Sequence, residues 1–332
     1  MIKTMDLTLR EYQSEAATTD QVPDNGENKL QSIMVPLLGL AGETGSLLTE
    51  FKKYMRQGDI YRPFEQQVSE ELGDILWYVS NIASKMGLDL EEVARLNLSK
   101  LDDRYRTELE DHAGQRRLFE SQRSFDDGYP ENERLPRTIR AEFHSVADRS
   151  HTKLHVILNG VPCGDALTDN SHVEDGYRFH DVFHLTMCCR LGWSPILRKL
   201  LGCKRKSERQ VDEVEDGARA GITEEAISAV AYGFAKDFSL FNGANSVEFS
   251  LLRTIKSMTS SFEVRVCSYR EWESVILEAF SVWRMMMTCN GGVFIGTNAR
   301  VEYQRHATAE GAICRTSTES SEITGLVESL GR

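Results

Sequence analysis

The sequence predicts an N-terminal all-α helical bundle followed by a mainly helical α+β domain with small β-hairpins. Apolar residues recur at helical spacing through the first 112 residues, and no stretch there alternates in the manner of a strand. Beyond residue 136, short alternating segments precede further helical patterns. A length of 332 residues fits two domains, and a hydrophobic content of 40% is enough to form both cores.

Four helices make up the predicted bundle. Their expected bounds are 7–20, 29–54, 65–86 and 90–110. Gly87 stops the third helix, and Asp89 provides a side-chain cap for the first turn of the fourth.

The remaining chain is expected to contain a linker, a second domain and a tail. The predicted domain boundaries are 1–112 for the bundle, 113–135 for a polar irregular linker, 136–310 for the mainly helical domain and 311–332 for a flexible tail. The second domain is expected to hold strands at 138–146 and 154–158, helices at 176–202, 211–238 and 270–288, and a hairpin at 289–303. Turn residues are expected at 159–165, directly after the second strand.

Charge and cysteine content exclude several classes of protein. Asp and Glu number 51 against 39 Lys and Arg, a net charge of −12 that disfavours non-specific binding to nucleic acid. No apolar run approaches the ~20 residues of a membrane helix, so no membrane partner is expected. The seven cysteines lack CxxC spacing, and the N-terminus lacks an apolar signal core. Both features predict a cytoplasmic protein with reduced thiols.

Carboxylates concentrate on the second and third predicted helices. Glu43 and Glu50 are seven residues apart, so two helical turns return them to one face, with Ser46 between them. On the next helix, Glu71 and Asp74 are three residues apart. If the two helices pack antiparallel, these carboxylates converge, and such hard oxygen ligands favour Mg²⁺ or Mn²⁺.

A solvated acidic face is the alternative to a metal site, and three glycines favour the metal site. Gly42, Gly45 and Gly73 lie beside the acids, where helix propensity disfavours glycine. Small residues there permit close helix approach or access of a ligand. Glu70, four residues before Asp74, adds another carboxylate.

One face of the fourth predicted helix combines a neutral donor with two cations. Asn97, Lys100 and Arg104 are spaced three and four residues apart. This face is suited to holding a polyphosphate, and a solvated surface stripe is the alternative.

The chain resembles MazG-like nucleoside triphosphate pyrophosphohydrolases of the all-α NTP pyrophosphatase superfamily. The resemblance covers about residues 7–106 and depends on two blocks, GLAGETGSLLTEFKKYMRQG and EELGDILWYVSNIASKMGLDLEEVARLNLSKLDDRY. It implies a MazG-like bundle that hydrolyses a nucleoside triphosphate (NTP or dNTP) to the monophosphate and pyrophosphate. The implied cofactor is Mg²⁺, with Mn²⁺ as an alternative, and the implied assembly is a homodimer or homotetramer.

The resemblance also implies a set of metal ligands. The family draws these ligands from an ExxE pair and an ExxD pair. Glu43 matches the first glutamate, and Glu71 and Asp74 match the second pair. Ser46 stands where the other glutamate is expected, and Glu50, one turn further along the helix, is the proposed substitute.

The implied reaction is metal-assisted hydrolysis, in which Mg²⁺ offsets the phosphate charge and activates the attacking water. Glu70 and Glu71 are the candidate catalytic carboxylates, with Glu70 as general base and as a second substitute ligand. Asn97 and Lys100 match positions that lie near bound nucleotide in the family, and Arg104 extends the same face.

A second metal site is a candidate in the C-terminal half. His180 and His184 are four residues apart, which is ligand spacing on a helix, and Asp181 and Glu225 provide carboxylates. The favoured alternative is that these are buried histidines paired with acids.

The C-terminal half resembles no family that we identify from the sequence. The basic run at 198–209 is either a nucleotide patch or, more commonly, a solvated helix end. Two alternative functions therefore stay open: a nucleotide-binding sensor with a decayed pyrophosphatase site that signals through the C-terminal domain, and a second metallo-hydrolase site at the HDxxH region.

Overall fold

The computed structural model forms two compact units, Met1–Asp102 and Asp103–Arg332. The structure describes residues 7–22, 29–105, 109–110, 116–117, 124–147 and 152–306. The predicted tail at 311–332 lies outside the described residues.

The four predicted helices of the bundle are confirmed. They are α1 (Leu9–Ala17), α2 (Lys29–Gln57), α3 (Phe64–Lys85) and α4 (Leu90–Tyr105). Thr8 and Glu11 form a capping box at the start of α1. Asp89 caps α4 as expected, because its carboxylate accepts a hydrogen bond from the backbone N–H of Glu91 at 2.9 Å.

Helices α1 and α2 both pack against α3. A β-carbon at Gly39 of α2 would lie 2.3 Å from the ring of Tyr78 on α3, so the two helices approach closely there. The Lys85 ammonium donates to the Asp20 carboxylate at 2.5 Å, which ties the segment after α1 to the end of α3. These contacts place one face of α2 along α3.

Helix α2 with the turn after it, residues 29–60, is long and apolar enough to cross a membrane by length and composition alone. The count of apolar runs in the sequence did not anticipate this result. The same segment carries Glu43, Glu50, Lys52 and Lys53. Because charges at the centre of a bilayer are costly, the segment is weak evidence for a membrane span.

The segment 113–135, predicted as an irregular linker, is tied to the second unit in its second part. Strands β1 (Leu109–Glu110) and β2 (Arg116–Arg117) pair antiparallel, and β2 already lies inside the predicted linker. Within 124–135, the Asp126 carboxylate is fully buried and accepts a hydrogen bond from the backbone N–H of Leu135 at 2.7 Å. This segment therefore belongs to the second unit, since its charge and its backbone are satisfied there.

A single antiparallel sheet replaces the separate hairpins expected in the second domain. Its strands are β3 (Thr138–Ala147), β4 (Thr152–Leu158), β5 (Val161–Leu167), β6 (Gly291–Thr297) and β7 (Val301–Gln304). Their order is β5-β4-β3-β6-β7, so pairing of β3 with β6 joins the two predicted β regions. The turn expected at 159–165 is shorter in the structure. It consists of Asn159 and Gly160, both with positive φ, and the residues after them form β5.

Six helices accompany the sheet among the described residues of the second unit. They are α5 (Asp181–Leu191), α6 (Pro195–Leu200), α7 (Arg209–Val214), α8 (Ala218–Asp237), α9 (Phe249–Met258) and α10 (Tyr269–Cys289). The predicted helix at 176–202 is broken because Gly192 adopts φ +67° and ends α5. The helix expected at 211–238 divides near Asp216, whose carboxylate bonds to Arg205 instead of facing solvent. Helix α9 was not predicted.

The core of the second unit lies between one face of the sheet and the helices. On β3, Ile139, Ala141 and Phe143 alternate into this core and are fully buried. Trp193, Trp272 and Trp283 complete it from the helical side. The six cysteines within the described part of the chain form no disulfide.

Candidate metal centre

The paired helices α2 and α3 bring three of the predicted carboxylates together. Glu43 lies on α2, and Glu71 and Asp74 lie one turn apart on α3. One carboxylate oxygen from each residue lies within 4.8 Å of the others. Glu43 and Glu71 are half-buried and Asp74 is exposed, so the cluster is open to a ligand.

The electrostatics of this cluster fit a divalent cation. Partial burial and the neighbouring carboxylates, Glu43 first and then Asp74, raise the pKa of Glu71 above its ordinary value. The deprotonated form of Glu71 is therefore disfavoured by its neighbours, and a bound cation would remove that repulsion. Three carboxylates are hard oxygen donors of the kind that Mg²⁺ and Mn²⁺ accept.

Glu50 is close to this cluster but is engaged elsewhere. Its carboxylate is only 4% exposed and accepts hydrogen bonds from Lys53 Nζ and from the Tyr61 hydroxyl, both at 2.5 Å. These two bonds, that of Lys53 first, lower the pKa of Glu50. Ser46 lies one turn before Glu50 and is half-buried.

The glycines beside the acids leave space and do not serve close helix packing. A β-carbon at Gly42, Gly45 or Gly73 would meet no described atom within 4 Å. Of the two explanations considered for these residues, access of a ligand fits this open space. The close approach of the helices occurs instead at Gly39.

The other predicted residues of this site are not members of the three-carboxylate cluster. Glu70 is exposed on α3 and accepts a hydrogen bond from Gln67 at 3.3 Å. Asn97 and Lys100 are exposed on α4. Arg104 falls in the second unit, where its guanidinium lies 4.7 Å from the ring centroid of Phe249.

Two tyrosines near the acids were not predicted from the sequence. Burial and the Asp74 carboxylate raise the pKa of Tyr12, so the first helix contributes a hydroxyl to the surroundings of Asp74. Tyr61 donates its hydroxyl to Glu50 from the turn after α2. Neither residue has a spacing signal, because each reaches the acids only through tertiary packing.

In the second unit, the structure assembles the predicted His/Asp group. One ligand atom each from His180, Asp181 and His184 lies within 4.8 Å of the others, and His184 Nε2 lies 3.4 Å from a Glu225 oxygen. His184 is also paired with Glu224, in the way that the alternative of buried, acid-paired histidines expects. A further group that we did not predict consists of Glu142, His144 and His306.

Two cations of the basic run at 198–209 are buried, so the run as a whole is not a solvated helix end. Arg198 is buried and donates to Asp126 at 2.7 Å, and Arg205 is buried and donates to Asp216 at 2.7 Å. These two cations stabilise the fold as ion pairs.

Comparisons with known proteins cover most of both units. The family model for the MazG nucleotide pyrophosphohydrolase domain matches residues 31–108, and the model for the MazG C-terminal domain matches residues 120–306. The "Gene 37 protein" of Mycobacterium phage L5 is 32% identical over 96 residues, which is 28% of this chain and 84% of that protein. No solved structure matches the chain.

The second match corrects the sequence analysis, which identified no family for the C-terminal half. It also begins at residue 120, inside the segment expected to be a linker. Both matched regions carry the same family name and follow one another along the chain. The chain therefore belongs to the MazG family, with a MazG nucleotide pyrophosphohydrolase domain followed by a MazG C-terminal domain.

Proposed function

We propose that this protein hydrolyses nucleoside triphosphates, NTPs or dNTPs, to the monophosphate and pyrophosphate in the presence of Mg²⁺. The observation that carries the proposal is the carboxylate cluster of Glu43, Glu71 and Asp74 inside the region that matches the pyrophosphohydrolase domain. Its open, acidic geometry suits a substrate that arrives with divalent cations.

Glu43, Glu71 and Asp74 would hold the cation, which is Mg²⁺ in the proposal, with Mn²⁺ able to replace it. When bound, the cation neutralises phosphate oxygens and lowers the pKa of a water ligand. Glu70 is the proposed general base, because its exposed carboxylate precedes Glu71 and is bonded only weakly, by Gln67 at 3.3 Å.

Glu50 remains the proposed substitute for the ligand that is missing at Ser46. To act in this way it must exchange its bonds with Lys53 and Tyr61 for the cation. Glu50→Gln should then weaken Mg²⁺ affinity, and Ser46→Glu should restore it in that background. Unchanged Mg²⁺ dependence in Glu50→Gln, with only lower thermal stability, would assign Glu50 a structural role.

The substrate phosphates are proposed to contact α4. Asn97 and Lys100 are exposed one turn apart and offer a neutral donor and a cation. Arg104 is the third member of the predicted face, and its guanidinium packs on Phe249 within the second unit.

Association of two or four copies is proposed from the surface of the first unit. Large apolar side chains are exposed along α2, α3 and α4, among them Leu38, Leu48, Leu72, Leu76, Leu96 and Leu98. Contiguous exposed apolar surface is typical of protein–protein interfaces. A homodimer or homotetramer would bury it. A cytoplasmic setting is also proposed, because the cysteines of the described chain form no disulfide.

The deciding experiment is a panel of NTPs and dNTPs with Mg²⁺ or Mn²⁺, in which pyrophosphate and orthophosphate release are measured separately. We expect pyrophosphate and monophosphate in equal amounts. Glu71→Gln should abolish release, whereas Glu65→Gln, an exposed acid at the start of the same helix, should not.

Three outcomes would contradict the proposal. Orthophosphate as the first product would place cleavage at the γ phosphate. Equal rates in Glu71→Gln and the wild type would remove the carboxylate cluster from the reaction. Tight nucleotide binding without turnover would favour the sensor with a decayed site.

A further inference from the structure

We propose that the second unit contains a structural site for a divalent transition-metal ion of the zinc type, bound by His180, Asp181, His184 and Glu225. The site is built from the start of α5 and the middle of α8. It is independent of the proposed pyrophosphohydrolase chemistry, because all four residues belong to the second unit.

The first argument is the hydrogen bonding of the two imidazole rings. His184 Nδ1 lies 2.8 Å from a Glu224 oxygen, and His180 Nδ1 lies 3.0 Å from the carbonyl oxygen of Tyr177. An acceptor at Nδ1 fixes the proton on that nitrogen and leaves the lone pair of Nε2 for a ligand. Metal-binding histidines in proteins almost always have this arrangement.

The orienting carboxylate of Glu224 is itself held rigidly. It is fully buried and also accepts hydrogen bonds from the Ser194 hydroxyl at 2.6 Å and from the backbone N–H of Ile196 at 2.8 Å. The imidazole of His184 therefore has a fixed direction. Such outer contacts hold a ligand in place before the metal arrives.

The second argument is the spacing of the donor atoms. His184 Nε2 lies 3.4 Å from a Glu225 oxygen, and His180 Nε2 lies 3.5 Å from an Asp181 oxygen. Both distances are long for hydrogen bonds. Two donors that bind one tetrahedral ion at about 2.0–2.1 Å lie roughly 3.3 Å apart, which is close to both observed distances.

The third argument is an unpartnered buried nitrogen. His184 is only 1% exposed, and its Nε2 atom is buried without a hydrogen-bond partner. Leaving such an atom unsatisfied costs free energy, so buried polar atoms without partners are rare. An ion bound at this Nε2 atom would satisfy it.

The donor set selects the class of metal. Two imidazole nitrogens and two carboxylate oxygens suit Zn²⁺ and related divalent ions, whereas Mg²⁺ and Ca²⁺ prefer oxygen ligands alone. One ligand atom each of His180, Asp181 and His184 already lies within 4.8 Å of the others, and Glu225, beside His184, would complete a tetrahedral shell with no open position. The site is therefore structural, and the ion would tie α5 to α8.

The alternative explanation needs no metal. The nearby Glu224 carboxylate more than offsets the effect of burial and raises the pKa of His184 to about 10, so an imidazolium between Glu224 and Glu225 is the competing state. The metal site and the imidazolium can be distinguished by whether the protein binds a zinc ion with these side chains.

The test uses the full chain, stripped of metal and then titrated with Zn²⁺ by calorimetry in excess Mg²⁺, which occupies the carboxylate cluster of the first unit. We expect one Zn²⁺ per chain that survives dialysis and raises the melting temperature. Glu225→Gln and Asp181→Asn keep the side-chain shape, and each should weaken Zn²⁺ binding by about tenfold or more.

His144→Asn is the matched control, because His144 belongs to the other His/Glu group of the second unit. It should bind Zn²⁺ as the wild type does. Absence of zinc binding in the wild type would establish the imidazolium and overturn the proposal. Equal Zn²⁺ affinity in Glu225→Gln, Asp181→Asn and the wild type, or loss in His144→Asn alone, would overturn it as well.

Discussion

The two units of this protein bury their apolar residues very differently. Among the described residues of the first unit, the buried hydrophobic side chains are Ala16, Ala83 and Leu90. The second unit has a continuous core that includes three fully buried tryptophans. The described helices of the first unit are strongly periodic but fully bury few apolar side chains, whereas the second unit has weaker sequence signals and a continuous core.

Charges differ between the units in the same way. In the first unit, the carboxylates of Glu43, Glu71 and Asp74 lie together at an accessible surface, where their negative charges repel one another. In the second unit, the buried carboxylates of Asp126 and Asp216 are each paired with a buried arginine. The comparison indicates that the first unit leaves charged groups and apolar surface available for partners. The second unit pairs these buried charges and buries its apolar side chains internally.

The largest expected effect is on activity, in the first unit. Asp74→Asn should lower pyrophosphate release by about 1,000-fold or more, because the loss of a cation ligand removes several kcal/mol of charge stabilisation. Stability should change little, since Asp74 is exposed. Steady-state rates and urea unfolding of the same variant measure both quantities. A folded variant with wild-type rates would remove Asp74 from the site.

A comparably large effect on stability is expected in the second unit. Asp126→Asn should lower the free energy of unfolding by about 3–5 kcal/mol, because the buried Arg198 loses its ion pair at 2.7 Å and keeps only the longer one to Asp216, at 3.4 Å. Asp127→Asn is the control, since its side chain is 70% exposed and its pair with Arg137 is worth less than about 1 kcal/mol. Equal urea midpoints for the two variants would contradict the contrast between the units.

The same carboxylate predicts a loss of stability in acid. Burial alone would raise the pKa of Asp126, but hydrogen bonds, first from Ser124 and then from Arg137, lower it from 3.8 to about 2. A lowered pKa in the folded state means that this stabilisation is complete above pH 4 and disappears as the pH falls toward 2. The contribution is about 2 kcal/mol. Unfolding curves of the wild type should therefore lose this amount relative to Asp126→Asn between pH 5 and 2, and parallel curves would refute it.

A smaller effect is expected on self-association. Leu38 is 66% exposed on α2 and Ile222 is 70% exposed on α8, so each can be replaced by serine without opening a core. Leu38→Ser should weaken association by about 10- to 100-fold, because burial of a leucine at an interface is worth roughly 1.5–3 kcal/mol. Ile222→Ser should have no effect. Sedimentation velocity across a concentration series measures both, and identical behaviour of the two variants would place the interface elsewhere.

The isolated segment 1–112 tests the comparison in another way. If copies of the first unit cover one another, this segment should be a soluble helical oligomer. Insoluble or unfolded protein would show that residues beyond 112 are needed to cover its apolar faces.

The sequence alone determined the helices of the first unit and the carboxylates of its site. Helical periodicity fixes which residues share a face, and caps such as Asp89 act within one turn, so both can be recognised locally. The spacing of Glu71 and Asp74 therefore predicted one stripe on α3, and the structure places Glu43 beside it.

Only the tertiary structure decided which distant segments pair, and which polar groups form hydrogen bonds and ion pairs with one another. Pairing of β3 with β6 joins residues about 150 positions apart, and no local pattern records that register. The bonds of Glu50 to Lys53 and Tyr61, and the burial of Arg198 against Asp126, likewise depend on packing. The type of a charged residue does not show whether it is solvated, paired or available to a metal. Its surroundings determine which of these states has the lowest free energy, and they depend on the fold.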